Sequence, residues 1–159
     1  MRCHLILTVA LLAGNSLAQA ADRPKANYGG GGTPNNVTAA VEPDPDDGDD
    51  SLVITGNTTN NSILIFDLLN HRIVFGLNGT TVNSSTFAAF SLRTPLDDTF
   101  IDMGSGDDTV IVVTAIVGEE FVAEGGIGTD TIAALATIDV EEGVVLTGFE
   151  TIIPDDLGM

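Results

Sequence analysis

The sequence predicts an all-β protein, a parallel β-solenoid or β-roll-like stack of coils with an inserted antiparallel hairpin, a β-sandwich being the alternative. Three observations predict it. First, Gly125-Gly126-Ile127-Gly128-Thr129-Asp130-Thr131-Ile132-Ala133 reads G-G-x-G-x-D-x-U-x, with U large and apolar. Met103 to Ile111 repeats that pattern twenty-two residues upstream with only the first glycine replaced. Second, an acidic or amide residue followed two positions later by a large apolar one recurs as Asp50/Leu52, Asn61/Ile63, Asp98/Phe100, Asp108/Val110, Glu119/Phe121, Asp130/Ile132 and Glu150/Ile152. Apart from one long step after Asn61, the spacings are one or two multiples of ten or eleven, so a full coil takes twenty to twenty-two residues. Third, the chain is rich in glycine, threonine, valine and isoleucine and has no tryptophan, the composition of a core built from aliphatic ladders.

In chain order, Arg2, the apolar run Leu5 to Ala13 and the small-x-small tripeptide Ala18-Gln19-Ala20 predict a signal peptide over residues 1–20, cleaved before Ala21. The apolar run is too short to span a bilayer, and no later stretch is long enough, so membrane insertion is not expected. Residues 21–49, with Gly29 to Gly32 and the acidic run Glu42 to Asp49, read as a disordered acidic and glycine-rich linker with nothing to bury. The solenoid-like domain occupies residues 50–159. Its long step is explained by Asn78-Gly79, a strong hairpin signal flanked by Ile73 to Leu77 and Thr80 to Val82. Residues Ser85 to Phe90 read as a helical turn before the chain rejoins the coils at Leu96. Apolar strands then alternate with glycine turns at Gly118, Gly143 and Gly148, although the slot near residue 140 breaks the pattern, because Asp139 is followed at +2 by Glu141. Pro154-Asp155-Asp156 ends the ladder and blunts its edge.

The two glycine-aspartate segments have a specific chemistry. Glycines let the backbone turn tightly so that carbonyls converge on a cation, and aspartate adds a charged hard oxygen. The apolar alternation that follows starts a strand. Over about thirty residues these segments resemble the nonapeptide repeats of the hemolysin-type (RTX) calcium-binding family. The resemblance implies that glycine carbonyls and the aspartate of one turn share a calcium ion with the turn one coil away. Carried over, Gly104, Gly106 and Asp108 face Gly126, Gly128 and Asp130 across a Ca2+ ion. The family's repeats run in tandem, whereas these lie twenty-two residues apart, with Asp107 and Asp50 as lesser candidates. The same aspartates would also serve simply to hydrogen-bond their own turns.

Composition narrows the function. Without the leader, the basic residues Arg23, Lys25, Arg72 and Arg93 stand against 23 acidic ones, a balance that excludes nucleic-acid binding and favours cations. The only cysteine, Cys3, lies in the leader, so disulfides are not expected. His71 has no catalytic motif around it, and the acidic doublets Asp97-Asp98, Asp107-Asp108 and Glu119-Glu120 point to opposite strand faces rather than forming ready-made pairs. The asparagines 36, 57, 60, 78 and 83 each match N-x-[ST]. The expectation is a secreted, non-enzymatic, calcium-binding structural or adhesive protein that meets calcium ions and a cell-surface or matrix component. An extracellular carbohydrate-active protein using paired carboxylates is the alternative.

Overall fold

A computed structural model describes residues 35–43, 50–92, 96–113, 116–135 and 138–153. The strands are β1 (Asn36–Pro43), β2 (Asp50–Asn57), β3 (Ser62–Leu68), β4 (His71–Gly76), β5 (Thr81–Val82), β6 (Phe87–Ser91), β7 (Leu96–Gly104), β8 (Thr109–Val112), β9 (Ile116–Glu124), β10 (Thr131–Ala134), β11 (Ile138–Thr147) and β12 (Thr151–Ile153). They form two six-stranded sheets, ordered β11-β9-β7-β2-β1-β5 and β12-β10-β8-β3-β4-β6. The pairs β2/β3, β7/β8, β9/β10 and β11/β12 each place one strand in either sheet, and within each sheet these strands pair in parallel. This is the expected all-β, β-roll-like stack of coils, its strands divided between two sheets.

Burial follows the period-two pattern. Ile63, Val110, Ile132 and Ile152 stack in register in one sheet, and Leu52, Thr99, Phe121 and Val144 in the other. The core between the sheets holds Leu52, Ile54, Ile63, Ile65, Met103 and Phe121 completely enclosed. Each such side chain contributes about 1.5–3 kcal/mol on burial, so the ladders carry stability in a chain whose single cysteine has no second one to pair with. At one slot the expected apolar residue is displaced by one position. Thr99, not Phe100, stands beside Leu52, because β7 carries one extra residue against the start of β2. The break near residue 140 has the same kind of cause: β11 bulges between Val140 and Gly143, where Gly143 has φ 130, and register resumes at Val144 opposite Phe121.

Four sequence expectations are corrected. Of the glycine turns expected at Gly118, Gly143 and Gly148, the first two lie inside strands, Gly118 in β9 and Gly143 at the bulge of β11, and only Gly148 falls between strands. The linker assigned to 21–49 contains β1, which lies antiparallel to β2 and buries Val37 and Ala39. The segment 85–90 contains no helical turn; β6 occupies Phe87–Ser91, with Ala88 and Phe90 packed on the core and the alternate residues outward. The insertion is antiparallel as expected, but its hairpin is β3 with β4, joined across Leu69-Asn70, and β6 adds to β4. Asn78-Gly79 does make a tight turn, with φ 52 and 86 and Thr80 N–H donating to the Leu77 carbonyl at 2.8 Å. That turn instead carries the chain to the other sheet, where β5 pairs with β1. Residues 1–20, the rest of the linker and 154–159 lie outside the described residues.

Arg72 ties the insertion to the coils. It is 2 % exposed, donates from Nε and Nη2 to the two Asp67 oxygens at 2.9 and 3.2 Å, and reaches Thr99 Oγ1 in the opposite sheet at 3.2 Å.

The outer faces differ. On the sheet containing β2, registered rows of Asp98 with Glu120 and Asp102 with Glu124 flank Phe100 and Val122. On the sheet containing β3, pairing aligns Phe87, Phe75, Leu64, Ile111, Ala133 and Ile153 in a single outward row.

Candidate metal centre

The corner between β7 and β8 lies beside the equivalent corner between β9 and β10. Gly104 (φ 88) and Gly126 (φ 98) occupy the same place in successive coils. A Cβ on Gly126 would overlap the Gly104 carbonyl oxygen, and one on Gly128 would overlap that of Gly106, so the pattern's glycines are what allow the corners to stack. Backbone hydrogen bonds then link corner to corner. Ile127 N–H donates to the Gly104 carbonyl at 2.9 Å, and Gly106 N–H donates to the Ile127 carbonyl at 2.8 Å.

Past the corners, the aspartates turn inward and form a ladder. Asn61 N–H donates to Asp108 Oδ1 at 2.6 Å, Asp108 N–H to Asp130 Oδ1 at 2.7 Å, and Asp130 N–H to Glu150 Oε2 at 2.6 Å. Four equivalent positions of four coils are thus joined by side chain to backbone, one rung after another. Charge-assisted bonds of this kind are short and strong. Asp108 and Asp130 are enclosed, at 1 % and 0 % exposure.

Each of these carboxylates uses only part of its capacity. Asp108 Oδ2 and Asp130 Oδ2 are buried without a hydrogen-bond partner, as is Asn61 Nδ2. Asn61 is oriented by Asn57 N–H, which donates to its Oδ1 at 3.1 Å. Burial pushes the Asp108 carboxyl up to about 6, against the amide of Asn61, which favours the charged form; the Asp130 and Asp107 charges add to the rise. Burial also raises Asp130, opposed by the Asp108 amide and reinforced by the charges of Glu150 and Asp107. Two negative oxygens held in a dry place without a counter-charge are costly. A proton or a cation would relieve that cost.

All six residues named from the pattern, Gly104, Gly106, Asp108, Gly126, Gly128 and Asp130, are therefore brought to neighbouring corners. Asp107 belongs to a separate, exposed ladder: it donates its N–H to Asn60 Oδ1 and accepts from Thr129 N–H, both at 2.9 Å. Asp50 stands in the other sheet, opposite Leu96. Asn61 and Glu150 are the rungs that motif reading leaves out. Their signal was present, since both belong to the acidic-or-amide periodicity, but neither has the glycines that draw attention to the corner. Among the described residues no three acidic, histidine or cysteine side chains converge as a ready-made metal site. A calcium ion here would need corner carbonyls to complete its six to eight oxygens. Asp98 and Glu120 are in register on an outer face, where Asp98 Oδ1 accepts from Glu120 N–H at 2.9 Å. No family model, curated protein or solved structure matches the chain.

Proposed function

We propose that this chain is a calcium-responsive structural module of the extracellular type, without catalytic activity, that acts as a structural or adhesive component at or beyond the cell surface. One observation carries the reading: Asp108 and Asp130, on stacked glycine corners, each keep a buried carboxylate oxygen that no hydrogen bond satisfies. The resemblance of those corners to hemolysin-type repeats supports calcium as the partner, and the formal charge of −18 supports a cation in general. The carboxylates of Asp108 and Asp130, with the carbonyls of Gly104, Gly106, Gly126 and Gly128, would hold the ion. Bound there, it would neutralise the buried charge and tie successive coils together.

At an affinity of about 10⁻⁴ M, as in other extracellular modules, millimolar calcium adds about 1–1.5 kcal/mol per site. For a chain of this size the melting midpoint then rises by several degrees, on the order of 3–6 °C per kcal/mol. Melting followed by far-UV circular dichroism in calcium, magnesium or chelator tests this. The reading predicts a rise with calcium that magnesium does not reproduce at equal concentration. Superimposable curves in calcium and chelator would remove the metal from the account. Export follows from the leader and is checked by fractionating cells that express the chain.

A further inference from the structure

We propose that the outer face of the β3-containing sheet is the docking surface for a second copy of this chain, which packs against it face to face about a two-fold axis. The row Phe87, Phe75, Leu64, Ile111, Ala133 and Ile153 runs across all six strands of that sheet. Beside it, Phe66 pairs with Ile73, and Val113 and Leu135 continue the neighbouring coils. Among the described residues no charged residue interrupts either row, although the chain carries a formal charge of −18. Phe87 is 51 %, Leu135 53 %, Ile153 47 % and Val113 38 % exposed, while the smaller Ala133 and the flanked Ile73 lie buried between them at 8 % and 9 %. The margin on one side is polar and uncharged, made by Ser62, Thr109, Thr131 and Thr151 in register.

Area and charge together select the occupant. The exposed apolar parts of these rows amount to ~500 Å², the upper range of patches on monomers. Two such faces together bury ~1,000 Å², which reaches the lower bound for a specific protein interface. A sheet face is also suited to a sheet partner, since two faces pack at about 10 Å with interdigitated side chains. Net negative charge disfavours an anionic lipid surface. It permits a second copy in this orientation, because the registered acids Asp98, Glu120, Asp102 and Glu124 lie on the other sheet and point away from the contact.

Sedimentation equilibrium of the full chain tests the assignment, with salt varied and with zwitterionic phosphatidylcholine vesicles as a separate arm. The expected result is a dimer that strengthens as sodium chloride rises, because salt screens the repulsion between two acidic copies and leaves the apolar contact intact. The pair Val113→Glu with Leu135→Glu raises the dimer dissociation constant at least tenfold, while Val41→Glu on the other sheet leaves it unchanged. If the double variant loses its circular dichroism spectrum, Ile111→Cys replaces it. Ile111 lies near the middle of the row, so in a two-fold pair it forms a disulfide with its own counterpart under mild oxidation. A chain that stays monomeric at ~100 µM, a dimer indifferent to the double substitution, open-ended association, or a monomer that floats with the vesicles would each overturn the proposal.

Discussion

Asp108 sits where a carboxylate is least comfortable, enclosed and only half satisfied, and its behaviour with pH follows. Its folded value is raised from 3.8 to about 6 by burial, so between those values the folded chain holds a proton that the unfolded chain has lost. The stability it contributes is complete below about pH 4 and is lost as pH rises through about 6. In chelator, Asp108→Asn should flatten that part of the pH profile. The amide oxygen can still accept from Asn61, and no buried charge remains at position 108, so the variant should unfold about 1–3 kcal/mol harder at pH 7 by urea titration. A variant less stable than the parent in chelator at pH 7 would mean that the carboxylate is not strained. Gly126→Ala makes the opposite case. With φ 98 and the Gly104 carbonyl in the way of a Cβ, the cost should exceed about 3 kcal/mol, or the fold should be lost. The aspartates and glycines were legible in the sequence because turn chemistry is local. The ladder was not, because an amide meeting a carboxylate twenty-two residues away leaves no mark beyond the spacing itself.

Among elements, the parallel coils were the legible part, since each repeats the same inward-outward alternation at one spacing. The insertion was legible only as an interruption. Asn78-Gly79 announced a turn, and the turn is present, yet the two-residue link Leu69-Asn70 makes the actual hairpin with an unhelpful residue. Leu69 takes φ 58 and is 91 % exposed; a left-handed leucine costs on the order of 1–2 kcal/mol, which hairpin pairing offsets. Leu69→Gly should therefore raise stability by about 0.5–1 kcal/mol, read as a higher urea midpoint with unchanged slope. β1 escaped notice because Val37 and Ala39 offer too short an apolar alternation beside a glycine-rich and acidic run. Arg72 binds the insertion to the coil stack, and truncating it to Ala removes a buried guanidinium, its ion pair with Asp67 and its inter-sheet bond to Thr99. The expected loss is about 3–5 kcal/mol, whereas a loss below about 1 kcal/mol would show that β4 is held by its neighbours alone.

For the whole molecule, the same stacking that aligns the apolar ladders aligns everything else at equivalent positions. It gathers carboxylates at the glycine corners, sets acids in rows on one outer face and leaves the other outer face apolar. Coil stacking is thus a multiplier: a favourable residue type is repeated into a ladder, and so is an unfavourable charge. The corners hold the repeated charge in the driest place, which is where a divalent cation would matter most. Carboxyl carbon chemical shifts of Asp108 and Asp130, followed by NMR from pH 3 to 8 with and without millimolar calcium, test that claim directly. The account predicts that Asp108 titrates near 6 without the ion, and that calcium lowers its midpoint by about one pH unit, equivalent to about 1.4 kcal/mol. Midpoints that coincide in calcium and chelator would contradict it.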